Sequence, residues 1–143
     1  YKFPFDSCQL PLNGFDATFK SFEQLVLPEL LKQSIAPLGM KSFGAGQAVR
    51  HKAVTPAEAL RYAMSLPVTT TISGMDWLRV LRQNLKVAQG FTPMTETQMQ
   101  AYRKRLSDKA ADGRFELYKT TARHDGPEGR EQHAFPTPEE LAG

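Results

Sequence analysis

The sequence predicts an α/β chain built on a parallel sheet. Two observations carry that expectation. Apolar or β-branched runs alternate with helix-spaced apolar stripes, in the order strand, helix, strand, helix, strand, helix, at roughly the thirty-residue period of βα units. In addition, Leu38-Gly39-Met40-Lys41-Ser42-Phe43-Gly44 and Ile72-Ser73-Gly74-Met75-Asp76-Trp77 are each a short apolar run entering a glycine-containing turn. Such a strand tip, followed by a helix N-terminus, offers free backbone N–H groups and a positive dipole end, which suits a phosphate.

Each element has its own signal. Phe5 to Leu12 is an apolar run bounded by Pro4 and Asn13-Gly14, and reads as a buried strand containing a buried Cys8. Phe19, Phe22, Leu25 and Val26 then share one helical face, with Ser21 and Gln24 as a capping box. Pro28 belongs in the first turn of a second short helix that carries Leu30 and Leu31 and ends near Ser34. Ile35 to Met40 reads as a strand despite Pro37, and Ser42 to Lys52 as a loop.

Thr55-Pro56-Ala57-Glu58 combines a cap, a first-turn proline and a capping-box glutamate. The helix it opens carries Ala59, Leu60, Ala63 and Met64 inward and stops before Pro67. Val68 to Ile72 is β-branched and reads as the third strand. Asp76 is expected to cap the next helix, whose Leu78, Leu81, Leu85 and Ala88 form one stripe. Thr95 and Gln98 open a last helix through Lys109.

Three parallel units alone would leave two bare sheet edges. A half of an eight-stranded, TIM-type βα barrel accounts for that better than a complete domain. The expected organisation is therefore a partial βα barrel over 1–94, a C-terminal helix over 95–111 and a loosely packed, partly disordered tail over 112–143. Tyr1-Lys2-Phe3-Pro4-Phe5 has neither a start methionine nor a signal pattern, so the chain reads as entered in mid-course.

Bulk properties narrow the function. At 143 residues, 41% hydrophobic and 23% charged, the chain has the composition of one ordinary globular domain. No apolar stretch approaches a membrane span of about 20 residues. A net charge of +3 is too mild to argue for nucleic acid, and Arg103-Lys104-Arg105 beside Tyr102 reads as a solvated helix face. Lone Cys8 fits a reducing, cytoplasmic setting. His51, His124 and His133 lack the tight spacing of a zinc site.

In a βα barrel, chemistry gathers at the C-terminal ends of the strands. Gln9 lies at such an end, where its amide offers the donor and acceptor that a carboxamide needs. The competing reading is a core glutamine satisfied by backbone.

At these points the chain resembles the aldo/keto reductase family, particularly its bacterial members with a C-terminal extension. The resemblance rests on an ordered set of phrases. They are Phe5-Asp6-Ser7-Cys8-Gln9-Leu10-Pro11-Leu12-Asn13, Leu27-Pro28, Pro37-Leu38-Gly39-Met40-Lys41-Ser42-Phe43-Gly44, and Ile72-Ser73-Gly74 leading to Gln83-Asn84-Leu85. A looser similarity runs through Gly113-Arg114-Phe115-Glu116-Leu117-Tyr118-Lys119-Thr120. The family's fold is a (β/α)8 barrel, of which this chain would supply roughly the last three units.

The resemblance implies an oxidoreductase that moves a hydride between NADP(H) or NAD(H) and a small carbonyl or alcohol substrate. It places Gln9 at the nicotinamide amide, Met40 against the nicotinamide face, and Lys41 and Ser42 on the pyrophosphate loop. Gly74 and Met75 fall where some members grip the cofactor's 2′-phosphate, with Arg79 close by, and Gln83 and Asn84 fall on the adenine side. The family's proton-donor tetrad belongs to the first half of the barrel, so no catalytic residue is assigned here. The missing N-terminal half then becomes the expected partner. The alternative is a non-catalytic NAD(P)-binding half-barrel, or an interaction subunit that completes another barrel.

Overall fold

The computed structural model describes residues 3–120, 130–131, 134–137 and 139–140. Its centre is a three-stranded sheet in the order β1 (Ser7–Pro11), β2 (Ala36–Met40) and β3 (Thr70–Thr71), parallel throughout. Ser7 faces Ala36 and Pro11 faces Met40 across the first pair, and Leu38 faces Thr70 across the second. The chain is thus mixed α/β with parallel strands and intervening helices. β3 has only two ladder residues rather than the five of the β-branched run. One further bond on each side, Thr69 N–H to the Pro37 carbonyl and Ile72 N–H to the Gly39 carbonyl, prolongs its contact with β2.

Pro37 is tolerated in the middle strand for a geometric reason. A strand residue's N–H and C=O point to the same side, and the Pro37 carbonyl points toward Thr69, just ahead of β3. The missing N–H therefore falls where the ladder has not yet begun.

The connections follow their sequence signals in part. Ser21 caps α1 (Phe22–Leu25), its hydroxyl accepting from the Gln24 N–H at 3.0 Å, but Gln24 donates to the Ala17 carbonyl instead of closing a capping box. Pro28 sits in the first turn of α2 (Leu27–Lys32). Leu27 and Leu30 are buried, whereas Leu25 and Leu31 are exposed, so the apolar face is rotated from the expected one. The supposed loop after β2 contains a single helical turn, α3 (Gln47–Arg50), anchored by fully buried Ala48.

Thr55 and Glu58 form a complete capping box at α4 (Pro56–Ser65). Ala59, Leu60 and Ala63 point inward as expected, Met64 is half-buried, and fully buried Tyr62 joins them. Burial pushes the Glu58 carboxyl upward, but the Thr55 hydrogen bonds and the Arg105 guanidinium outweigh it and hold it below its ordinary 4.5. This contribution is present above 4.5 and fades as the pH falls through the lower folded value. Thr55→Ala is expected to cost about 1 kcal/mol at neutral pH, with a smaller penalty in acid, measured by urea unfolding at both.

α5 (Leu78–Gln89) departs furthest from its pattern. Trp77, not Asp76, occupies the cap position, and no side chain caps the helix. The stripe is poorly covered: Leu78 and Leu85 are 60% and 49% exposed, and buried Asn84 is the residue that α5 sends inward. The covered side of α5 is that of Val80, Leu81, Asn84 and Val87, so the helix is rotated from the expected stripe, of which Leu81 alone is half-buried.

α6 (Glu96–Ala110) opens with the expected Thr95–Gln98 box and buries Met99, Tyr102, Leu106 and Ala110. It crosses so close to the turn after β1 that a Cβ added to Gly14 would stand 2.2 Å from Tyr102 Cε1. The basic run is solvated at Lys104 and Arg105, as expected, whereas Arg103 is half-buried. Arg103 bridges Glu23 and Glu96 at 2.8 and 2.6 Å, and Arg105 pairs with Glu58 at 2.7 Å.

Residues 113–120 correct the expectation of loose packing beyond Asp112. Phe115 is buried against Phe15, Glu116 is fully buried, and the Lys119 side chain is 2% exposed. Lys119 Nζ donates to Asp16 at 2.6 Å, to Glu116 at 2.9 Å and to the Phe19 carbonyl at 2.8 Å. Tyr118 and Asn13 donate to the other Glu116 oxygen. The local sequence is polar, yet its charges neutralise one another inside the fold. Most of the tail after Thr120, with its expected disorder and His124 and His133, lies outside the described residues.

The core lies on one face of the sheet. Leu10 and Leu12 pack with Phe15, Leu27, Tyr62 and Leu106. Cys8 is only half-buried against this cluster, so it is less enclosed than expected. The opposite face, with Ser7 and Gln9, is open.

Candidate functional site

A cleft of about 440 Å³ lies at the C-terminal ends of β1, β2 and β3. Such a volume suits a small-molecule or cofactor site. Two loops wall it. One follows β2 and supplies Lys41, Ser42 and Phe43, with Arg50 from the end of α3. The other follows β3 and supplies Ser73, Gly74 and Asp76. Gln9 and Met40 form part of the floor on the open sheet face.

Gln9 is exposed, which removes the core-glutamine reading. Its amide nitrogen donates to the Met40 thioether at 3.0 Å, a soft acceptor that a better one would displace. Register explains the meeting. Gln9 stands opposite Leu38, so Gln9, Leu38 and Met40 share a sheet face.

Lys41 sits at the strand end with φ +57°, in the left-handed region. That conformation turns the chain sharply off β2, and a lysine there is strained. Ser42 follows immediately and is 4% exposed, and its hydroxyl has no hydrogen-bond partner among the described residues. A buried, unanswered hydroxyl on a cleft wall is costly unless something in the cleft engages it. Lys41 and Arg50 make no ion pair among the described residues, so two free cations stand on the same loop.

The structure thus brings Gln9, Met40, Lys41, Ser42 and Gly74 to one cleft. It does not bring the remaining candidates there. Met75 and Asn84 line a neighbouring groove of about 350 Å³ between α4, β3 and α5. Gln83 donates to Asn84 Oδ1 at 3.3 Å, and Asn84 donates to Ser73 Oγ at 3.0 Å. Asn84, 5% exposed, braces the β3 loop from behind and leaves its amide N–H unavailable to the cleft. Arg79 is exposed on α5 and lines neither cavity.

Arg50 and Asp76 are cleft residues that the motifs did not single out. Arg50 lay inside a supposed loop, and only the extra turn of α3 swings it to the wall. Asp76 was assigned to helix capping, but the cap falls at Trp77, and Asp76 is instead an exposed residue of the cleft wall.

None of the described tyrosines lines the cleft. Tyr62 stacks at 5.0 Å on Tyr102, and its hydroxyl donates to Glu23 at 2.6 Å. Burial first, then the Glu23 carboxylate, push the Tyr62 hydroxyl upward. Burial and the Glu58 charge do the same to Tyr102, while burial and Glu116 do so to Tyr118. All three stay protonated, as structural groups. His51 lies edge-on to Phe115 at 5.9 Å. Among the described residues no group of His, Cys, Asp and Glu could hold a metal ion, and no helix is long and apolar enough to cross a membrane.

Comparison with protein-family models, with curated proteins and with solved structures finds no match to this chain.

Proposed function

We propose that this chain supplies the nicotinamide-cofactor-binding part of an aldo/keto-reductase-type oxidoreductase with a (β/α)8 barrel. The observation that carries the proposal is the convergence of Gln9, Met40, Lys41, Ser42 and Gly74 on one cleft at the C-terminal strand ends. That is the rim where βα barrels place their chemistry. The open sheet face supports it as well. Parallel sheets are normally covered on both sides, and a barrel is the arrangement in which one face turns inward onto its own strands.

In this reading Gln9 exchanges its thioether contact for the nicotinamide carboxamide, and Met40 lies against the ring. Lys41 and the unanswered Ser42 hydroxyl take the diphosphate. The cofactor supplies the hydride, and a carbonyl or alcohol substrate receives or gives it. The partner is the polypeptide that carries the rest of the barrel. It would cover the free edges of β1 and β3 and the exposed apolar residues Ile72, Leu78 and Leu85.

One observation favours binding without turnover by this chain alone. None of its described tyrosines lines the cleft, so no tyrosine hydroxyl among the described residues stands ready to protonate a developing alkoxide. The test is a titration of the chain with NADH and with NADPH, followed by nicotinamide fluorescence. Binding of at least one is expected, and Lys41→Ala is expected to weaken it about tenfold, the weight of one charge-assisted hydrogen bond. Absence of binding to both, in a folded sample, would overturn the proposal.

A further inference from the structure

The charge around the cleft is unevenly divided between its two loops. The β2 loop carries Lys41 and Arg50, both cationic and both without an ion-pair partner among the described residues. The β3 loop carries no cation. Ser73 and Gly74 are neutral, Met75 turns into the neighbouring groove, and Asp76 is the charged group that this loop presents to the cleft.

The Asp76 carboxylate is free for a ligand. It does not cap α5, whose cap residue is Trp77, and it makes no hydrogen bond or ion pair among the described residues. Arg79 does not offset it, since Arg79 lines neither cavity and forms no ion pair with it.

Resting on the dinucleotide reading above, we infer that this cleft selects NAD(H) over NADP(H), with Asp76 as the discriminating residue. A carboxylate accepts hydrogen bonds from the two hydroxyls of an unmodified ribose. Toward a 2′-phosphate the same carboxylate is repulsive, because it brings a second anion against the phosphate charge. Lys41 and Arg50 match the two charges of a diphosphate on the opposite loop, which leaves no cation among the described cleft residues for a third phosphate.

The test compares NADH and NADPH titrations of the wild-type chain, Asp76→Asn and Arg50→Ala. The wild type is expected to bind NADH about fivefold to tenfold more tightly, the size of one exposed charge repulsion at close range. Asp76→Asn is expected to bring the ratio close to unity by strengthening NADPH binding, with the circular dichroism unchanged because the residue is exposed. Arg50→Ala is expected to weaken both nucleotides alike and to leave the ratio intact. Equal or tighter NADPH binding by the wild type would overturn the inference while leaving the dinucleotide reading standing. So would an unchanged ratio in Asp76→Asn. Binding of neither nucleotide would overturn the dinucleotide reading itself and this inference with it.

Discussion

Replacing Lys119 with methionine is expected to destabilise the fold by about 3–5 kcal/mol, the usual consequence of removing one partner from a buried ionic cluster. Lys119 Nζ lies 2.6 Å from Asp16 and 2.9 Å from Glu116, and all three side chains are at most 2% exposed. The substitution leaves two carboxylates inside the protein without their cation. Asp16 would keep the Ser21 hydroxyl and the Phe22 and Glu23 N–H groups. Glu116 would keep Tyr118 and Asn13. These donors are dipoles and cannot replace a full charge.

The measurement is urea unfolding of Lys119→Met beside a triple variant that adds Asp16→Asn and Glu116→Gln. The triple variant is expected to recover most of the loss, because it removes the unpaired charges themselves. A single variant within about 1 kcal/mol of wild type would show that the ammonium contributes nothing net. Because the cluster ties residues 113–120 to the turn after β1, limited proteolysis of Lys119→Met is also expected to cut first within that segment.

The second large effect concerns Gly44, on the cleft-forming loop. Gly44 has φ +56°, and a Cβ there would stand 2.6 Å from the Phe115 carbonyl oxygen. Alanine therefore meets two penalties, a left-handed backbone and a backbone atom that cannot swing aside. The expected cost is about 2–4 kcal/mol, taking the conformational and overpacking contributions together. Relief comes only by moving the loop away from Phe115, which carries Lys41 and Ser42 with it. Gly44→Ala is accordingly expected to lose nucleotide binding along with stability.

Gly46 provides the control. It has φ +83°, but a Cβ there meets nothing within 4 Å. Gly46→Ala is expected to cost only the conformational part, about 1–2 kcal/mol, and to retain more of the binding. Equal losses of stability in the two variants would show that the contact with Phe115 is immaterial.

This contact also shows why part of the site was hidden from sequence. The loop after β2 is held from beneath by residues about seventy positions later, in a segment whose composition reads as a loose tail. Glu116 and Lys119 look like surface charges because burial is a property of the partner, and their partners Asn13 and Asp16 are each about a hundred residues away. Tyr62 is similar. Its helical position was legible, but its burial depends on Tyr102 and Glu23 arriving from other elements.

Local signals fared better wherever the physics is local. Ser21, Thr55 and Thr95 each cap the helix they announce, since the cap and its N–H partner are three residues apart. The order of strands and helices, and the strand ends that carry Lys41, Ser42 and Gly74, were legible from alternating periodicity and turn glycines, whereas Gln9, expected at a strand end, sits in the middle of β1. Asp76 shows the limit even here. An acidic residue before an apolar stripe is a sound cap signal, yet the backbone enters α5 one residue later.

By itself, then, the sequence determined most of the succession of elements and most helix starts, because these follow from hydrogen bonds and steric preferences among near neighbours, and the alternation of strands with helices carried the parallel pairing. Tertiary structure decided which faces are covered. It left the Leu78–Leu85 stripe of α5 open and sent Asn84 inward to Ser73 instead of into the cleft. It also buried a lysine between two carboxylates and brought Arg50 and Asp76 to the walls of one cavity. The physical reason is common to all of these. Periodicity specifies the direction in which a side chain leaves its element, whereas burial, charge pairing and cavity walls depend on what another element places at the end of that direction.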